Sequence, residues 1–119
     1  MTLGQNQELF ARQLVQLLQK AWELGFEARL GEVQRTPEQQ KLYLAQGKSK
    51  TLDSQHMKKL AADIFFMKDG KMATYEQLKP LGYFWQELDE KLRWGGSWRG
   101  LVEAKRSSFI DAYHFERQE

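Results

Sequence analysis

Eight consecutive residues near the middle of the chain, Leu60-Ala61-Ala62-Asp63-Ile64-Phe65-Phe66-Met67, are apolar at every position but one, and Lys68-Asp69-Gly70-Lys71 ends the run abruptly. An apolar run of this length, closed by a turn signal, predicts a buried strand and a tight turn. It is far short of the roughly 20 residues that span a bilayer, and no other stretch of the chain approaches that length. With 119 residues there is room for one domain, so residues 1–119 are expected to fold around a single core that contains this strand.

The flanking segments supply the other layers. Phe10, Leu14, Leu17, Leu18 and Ala21 recur at three- and four-residue intervals, which predicts an amphipathic helix over about 6–24, ended by Gly25. Residues 26–33 alternate loosely and read as a half-buried strand. Thr36-Pro37-Glu38-Gln39 combines a hydroxyl cap, proline at the first helical position and a glutamine three residues after the cap, so a second helix is expected to about Gln46. Residues 48–59 read as a polar loop. Pro80 is expected to break any helix begun at Thr74, which places the third helix over about 80–92, burying Phe84, Leu88 and Trp85. Trp94-Gly95-Gly96-Ser97-Trp98 reads as a loop, and residues 109–116 as a final strand. The fold class is α+β, with helices packed on a short antiparallel sheet.

Composition narrows the chemistry. A hydrophobic share of 41% with 13% aromatics describes an ordered fold, since disorder goes with few aromatics and a large charge imbalance. A net charge of +2 is too mild for a nucleic-acid binder, and no such partner is expected. Cysteine is absent, so any metal must be held by nitrogen and oxygen. The first 24 residues contain no apolar run that could serve as a signal-peptide core, and this predicts a product made in the cytoplasm without membrane insertion.

The chain has two histidines, His56 and His114, and each lies near carboxylates: Asp63 follows His56 by seven residues, and His114 stands between Asp111 and Glu116. Either histidine alone is more often a hydrogen-bonded structural residue than a ligand. Ligand atoms each about 2 Å from one zinc must lie close together. On a continuous helix His56 and Asp63 would be about 10 Å apart along the axis. A bend after His56 that returns into the strand holding Asp63 removes that conflict. Trp94, Trp98 and Tyr113 could line a groove, although aromatics in a small domain are more often core, and Lys48, Lys50, Lys58 and Lys59 read as a solvated face.

Ser54-Gln55-His56-Met57-Lys58-Lys59-Leu60-Ala61-Ala62-Asp63 resembles the S-x-H-x-x-G-x-A-x-D motif of the D-Ala-D-Ala carboxypeptidase-like zinc peptidases (peptidase M15), and Asp111-Ala112-Tyr113-His114 resembles their later D-x-x-H. The segment Gly31–Gln40, Lys79-Pro80-Leu81-Gly82 and Trp94–Trp98 are similar to phage endolysins of the L-alanyl-D-glutamate peptidase type, so the likeness covers roughly residues 24–117. It implies a hedgehog/DD-peptidase-like fold with catalytic motifs over about 31–116. It also implies a Zn2+ ion held by His56, Asp63 and His114, with Asp111 as the catalytic carboxylate. Arg35 matches an arginine that steadies substrate or oxyanion, and Ser54 stands at the motif's serine. Glu116 remains a rival base, or a partner that orients an imidazole.

The activity implied is cleavage of peptidoglycan stem peptides, most specifically as an L-alanyl-D-glutamate endopeptidase used in bacteriophage lysis. A D,D-carboxypeptidase or dipeptidase of the same kind, or a non-catalytic wall-binding relative, stays open. The resemblance further implies a monomer that acts on the cell wall after release, with a separate holin-like protein giving access. Lys59 stands where these relatives usually have glycine; if the backbone there has φ > 0, lysine carries a strain of about 1 kcal/mol or more.

Overall fold

The computed structural model describes residues 1–47, 54–97 and 111–119. These form α1 (Leu3–Glu23), β1 (Glu27–Leu30), α2 (Pro37–Ala45), a short 3₁₀ helix (Gln55–Lys58), β2 (Ala61–Lys68), β3 (Lys71–Met72), α3 (Tyr75–Leu88), β4 (Leu92–Trp94) and β5 (His114–Arg117). The sheet runs β1-β2-β5-β4 with every pairing antiparallel, and β3 pairs with the far end of β2. The expected α+β class, with helices over a short antiparallel sheet, is what the chain adopts.

The apolar run is the central strand. Alternation along β2 turns Ala62, Ile64 and Phe66 toward the helices, where they join Phe10, Leu17 and Ala21 of α1 and Leu78, Leu81 and Trp85 of α3 in one core. Trp85 stands edge-on to both Phe10 and Phe115, with ring centroids 5.9 Å apart in each pair. Each fully buried side chain of this size contributes about 1.5–3 kcal/mol of transfer free energy. Asp63 takes the opposite parity and therefore lies on the other face of the sheet.

Helix boundaries differ from the sequence reading in two helices, α1 and α3. α1 begins at Leu3, because Thr2 and Gln5 form a reciprocal capping box that the apolar spacing does not reveal. α3 begins at Tyr75 and carries Pro80 inside it, so the expected start at Pro80 is wrong. Proline there removes one N–H bond and strains the turn before it, at a cost of about 3 kcal/mol. A second capping box, Thr74 with Gln77, and burial of Leu78, Leu81 and Trp85 offset that cost.

α3 also ends early, at Leu88, and Leu92–Trp94 becomes an unforeseen strand. Trp94 is fully buried, stacked on Tyr75 at 5.8 Å, and lies flat on Gly82 of α3, where an added Cβ would come within 2.1 Å of the indole. The glycine permits the contact, and the contact fixes β4. The expected strand over 109–116 begins in residues outside those described; within them, Asp111–Tyr113 form a turn and the strand is His114–Arg117. Trp98, Lys48 and Lys50 also lie outside the described residues. Among the described residues no helix is long and apolar enough to cross a membrane.

Candidate metal centre

β2 and β5 pair in a register that sets Asp63 opposite His114 and Ala61 opposite Glu116. Residues two apart on a strand share a face, so Asp63, His114, Glu116 and the small Ala61 all lie on the side away from the helices. His56 arrives from the preceding 3₁₀ helix. Ser54 caps that helix by accepting from His56 N at 3.2 Å, and Lys59 ends it in the left-handed region, φ 57° and ψ 36°. The reversal at Lys59 is the bend that lets a residue seven positions before Asp63 come back beside it.

His56, Asp63 and His114 each offer a ligand atom, and the three atoms lie within 4.8 Å of one another. His56 Nε2 is 3.3 Å and His114 Nδ1 3.5 Å from the same oxygen, Asp63 Oδ1. That oxygen is buried and has no hydrogen-bond partner among the described residues. Leaving a buried acceptor unsatisfied costs about 1–3 kcal/mol, and a native fold rarely tolerates it without a reason. A divalent cation is such a reason. Donors about 2 Å from a tetrahedral zinc lie roughly 3.3 Å apart, close to the two distances from Asp63 Oδ1 to the imidazole nitrogens. The donor set, two imidazoles and one carboxylate, suits zinc and leaves a coordination position open.

Electrostatics agree with a tight cluster. Burial opposes ionisation of Asp63, yet the imidazoles of His114 and His56 outweigh it and hold the carboxyl well below the usual carboxylate range. Burial likewise opposes charge on His114, but Asp63 and Glu116 push its pKa up to about 9. Asp111 shifts the other way: burial first, then the charge of Asp63, raises its carboxyl above the ordinary value. A carboxyl so placed holds a proton more readily than a surface aspartate does.

Asp111 is set by its turn. Its Oδ1 accepts from Tyr113 N at 3.3 Å, and its carbonyl accepts from His114 N at 3.1 Å. Gly95 N donates to His114 O at 2.8 Å while Asp111 N donates to Gly95 O at 3.3 Å. A Cβ at Gly95 would come within 2.1 Å of the Asp111 carbonyl oxygen. The Trp94-Gly95-Gly96 segment, which reads as a loop in the sequence, thus forms the clamp on this turn.

Arg35 lies in a neighbouring network tied to His56 by the backbone, with Arg35 N donating to His56 O at 3.0 Å. Its Nε donates to Glu32, its Nη1 donates to Gln40 at 2.7 Å and to Ser54 Oγ at 3.4 Å, and its guanidinium lies 4.7 Å from the Tyr43 ring centre. Ser54 is therefore held both as a helix cap and as an acceptor for Arg35. Sequence reasoning gave no role to Gln40 or to the Val33 carbonyl, which accepts from His56 Nδ1 at 3.2 Å. Gln40 is a fully buried amide on a helix with little apolar pattern, and its one sequence signal is its place in the segment following Arg35.

No family model matches the sequence, and no curated protein matches it significantly. Among solved structures the chain is similar to the Serratia marcescens L-Ala D-Glu endopeptidase ChiX, with a TM-score of 0.64 and 21% sequence identity, over 88% of this chain and 77% of that one. At that identity the likeness establishes a shared fold.

Proposed function

We propose that this chain is a zinc peptidase acting on peptidoglycan stem peptides, most specifically at the L-alanyl-D-glutamate bond. The observation that carries the reading is the convergence of His56, Asp63 and His114 around a buried carboxylate oxygen that has no hydrogen-bond partner among the described residues. Similarity of fold to ChiX, an L-Ala D-Glu endopeptidase, supports the choice of substrate. On this reading residues 1–119 work as one domain and as a monomer of the phage-endolysin kind, reaching the wall from the cytoplasm through a holin-like partner.

Bound zinc supplies Lewis acidity and draws the pKa of a coordinated water down to about 7. The chain's own residues do the rest. Asp111, beside His114 and with its carboxyl raised by burial, takes a proton from the attacking water and returns it to the leaving amine. Glu32, Gln40 and Ser54 hold the Arg35 guanidinium in one orientation, from which it steadies substrate charge or a developing oxyanion.

The test is metal content and stem-peptide digestion before and after chelation, with fragments identified by mass. One zinc per chain and a fragment cut between L-alanine and D-glutamate, lost on chelation and restored by zinc, is the expected result. A zinc-loaded protein that leaves every stem peptide intact sinks the reading, and release of a terminal D-alanine would move the assignment to a carboxypeptidase. Asp111→Asn is expected to keep its zinc and lose about 10²–10⁴-fold in turnover.

A further inference from the structure

We infer that Glu116 is a positioning residue which fixes the tautomer of His114, so that Nδ1 is the nitrogen presented to the metal; the inference rests on the zinc reading above. Glu116 Oε1 lies 2.7 Å from His114 Nε2, and both side chains are buried. An ionised carboxylate only accepts hydrogen bonds, so the proton of this contact sits on Nε2, and a neutral imidazole then has its lone pair on Nδ1. Nδ1 is the atom that faces Asp63.

The carboxylate is itself held. Gln118 Nε2 donates to Glu116 Oε2, so both oxygens are engaged, and the residue is only 7% exposed. A group so enclosed is poorly placed to exchange protons with a water in the open coordination position. This separates Glu116 from Asp111 in role. His56 arrives at the same arrangement by another route: its Nδ1 donates to the Val33 carbonyl and its Nε2 faces Asp63. The two imidazoles thus offer opposite nitrogens to one centre, each fixed by an acceptor behind it, and only the acceptor behind His114 is a side chain that mutation can remove.

The experiment measures zinc affinity by chelator competition for the parent, Glu116→Ala and Glu116→Gln, with the melting temperature of each metal-free protein and the ¹⁵N histidine spectrum of the zinc-loaded parent. Glu116→Ala is expected to weaken zinc binding by about 10–100-fold. Glu116→Gln should recover most of it, because its amide oxygen still accepts from Nε2 and Gln118 can turn its own amide to suit. The spectrum should show His114 protonated on Nε2. A purely structural role would lower both melting temperatures and leave zinc affinity alone, and that result overturns the inference. So does a His114 protonated on Nδ1, which the parent reports even where Glu116→Ala does not fold. A parent that binds no zinc removes the metal reading and this one with it; a parent that binds zinc as tightly as a folded Glu116→Ala removes this one only.

Discussion

Strand β5 carries two buried polar clusters on its two faces, and they are built to opposite rules. On the face under the helices, Arg117 donates from Nε to Asn6 Oδ1 at 3.0 Å and from Nη1 to Asp89 Oδ2 at 2.8 Å and Gln13 Oε1 at 3.4 Å. That charge is only 3% exposed, yet it meets an acceptor on α1 twice and another just past α3. On the opposite face, Asp63, His56 and His114 crowd together around an oxygen with no hydrogen bond among the described residues. A polar group that exists for stability is satisfied within the fold; one left unsatisfied by its own chain is set for something the chain binds. Two residues along one strand separate the two designs.

The widest gap between them should open on removing Asp63. Asp63→Ala is expected to abolish zinc binding and to drop stem-peptide cleavage by more than about 10³-fold, since the proposed centre then keeps two of its three ligands. The metal-free variant should melt only modestly lower than the parent: the substitution gives up the attraction of the two imidazoles that holds the carboxyl below its usual range, but it also removes a buried acceptor without a hydrogen bond among the described residues. Melting curves of both proteins with chelator decide this. A large drop for the metal-free variant would mean that the cluster holds the fold together, and the contrast would collapse.

Arg117→Ala tests the other side. It strands the buried Asn6 and Gln13 and the partly exposed Asp89 without their shared donor, at a cost of about 1–3 kcal/mol. Denaturant unfolding at pH 7 should show that loss. Where the variant remains folded, its zinc affinity should stay within a few-fold of the parent's, because Arg117 points away from the ligands.

These two clusters were unequally legible in the sequence. Asp63 was legible as the carboxylate seven residues after His56, and His114 joined the pair through the resemblance of residues 54–63 and 111–114 to the zinc-peptidase motifs. Arg117 gave no signal: its partners lie 111, 104 and 28 residues away, and only the sheet register brings them together. The same limit explains the third helix and β4. Pro80 is a strong local signal for a break, but the burial of Leu78, Leu81 and Trp85 and the seat of Trp94 on Gly82 are tertiary facts that override it. Helix α2 shows the converse. Thr36 and Pro37 mark its start correctly, while its buried side is polar, with Gln40 turned in and Leu42 half exposed, so apolar periodicity could not have found it.

Asp89 gives a smaller and pH-dependent contrast. The Lys91 N–H, then the Arg117 guanidinium, hold its carboxyl below the ordinary value. A folded-state pKa below the unfolded one means that its contribution is present above the unfolded value and is lost as pH falls through the folded one. The parent should therefore lose stability below about pH 4. Asp89→Asn should show a flatter acid limb, at a cost near neutrality of about 1 kcal/mol, because this side chain stays partly in solvent. Urea unfolding at pH 7 and at pH 3 separates the two curves, and parallel acid limbs would show that Asp89 is not part of the buried Arg117 design.

The smallest effect is expected at Lys59, where the site face, not the structural one, carries backbone strain. Its φ of 57° and ψ of 36° place a side chain in the left-handed region, which costs an L-residue about 1–2 kcal/mol relative to glycine. Lys59→Gly relieves that strain but gives the unfolded chain more freedom, a penalty of about 0.4–1 kcal/mol. The net should be a stabilisation of about 0–1.6 kcal/mol, read as a small rise in the denaturant midpoint at unchanged slope. Zinc affinity should not fall, since the reversal that carries His56 toward Asp63 is one that glycine adopts more readily than lysine. Weaker zinc binding in Lys59→Gly would mean that the lysine actively holds the turn, and the site would then depend on its loop more than on the paired strands beneath it.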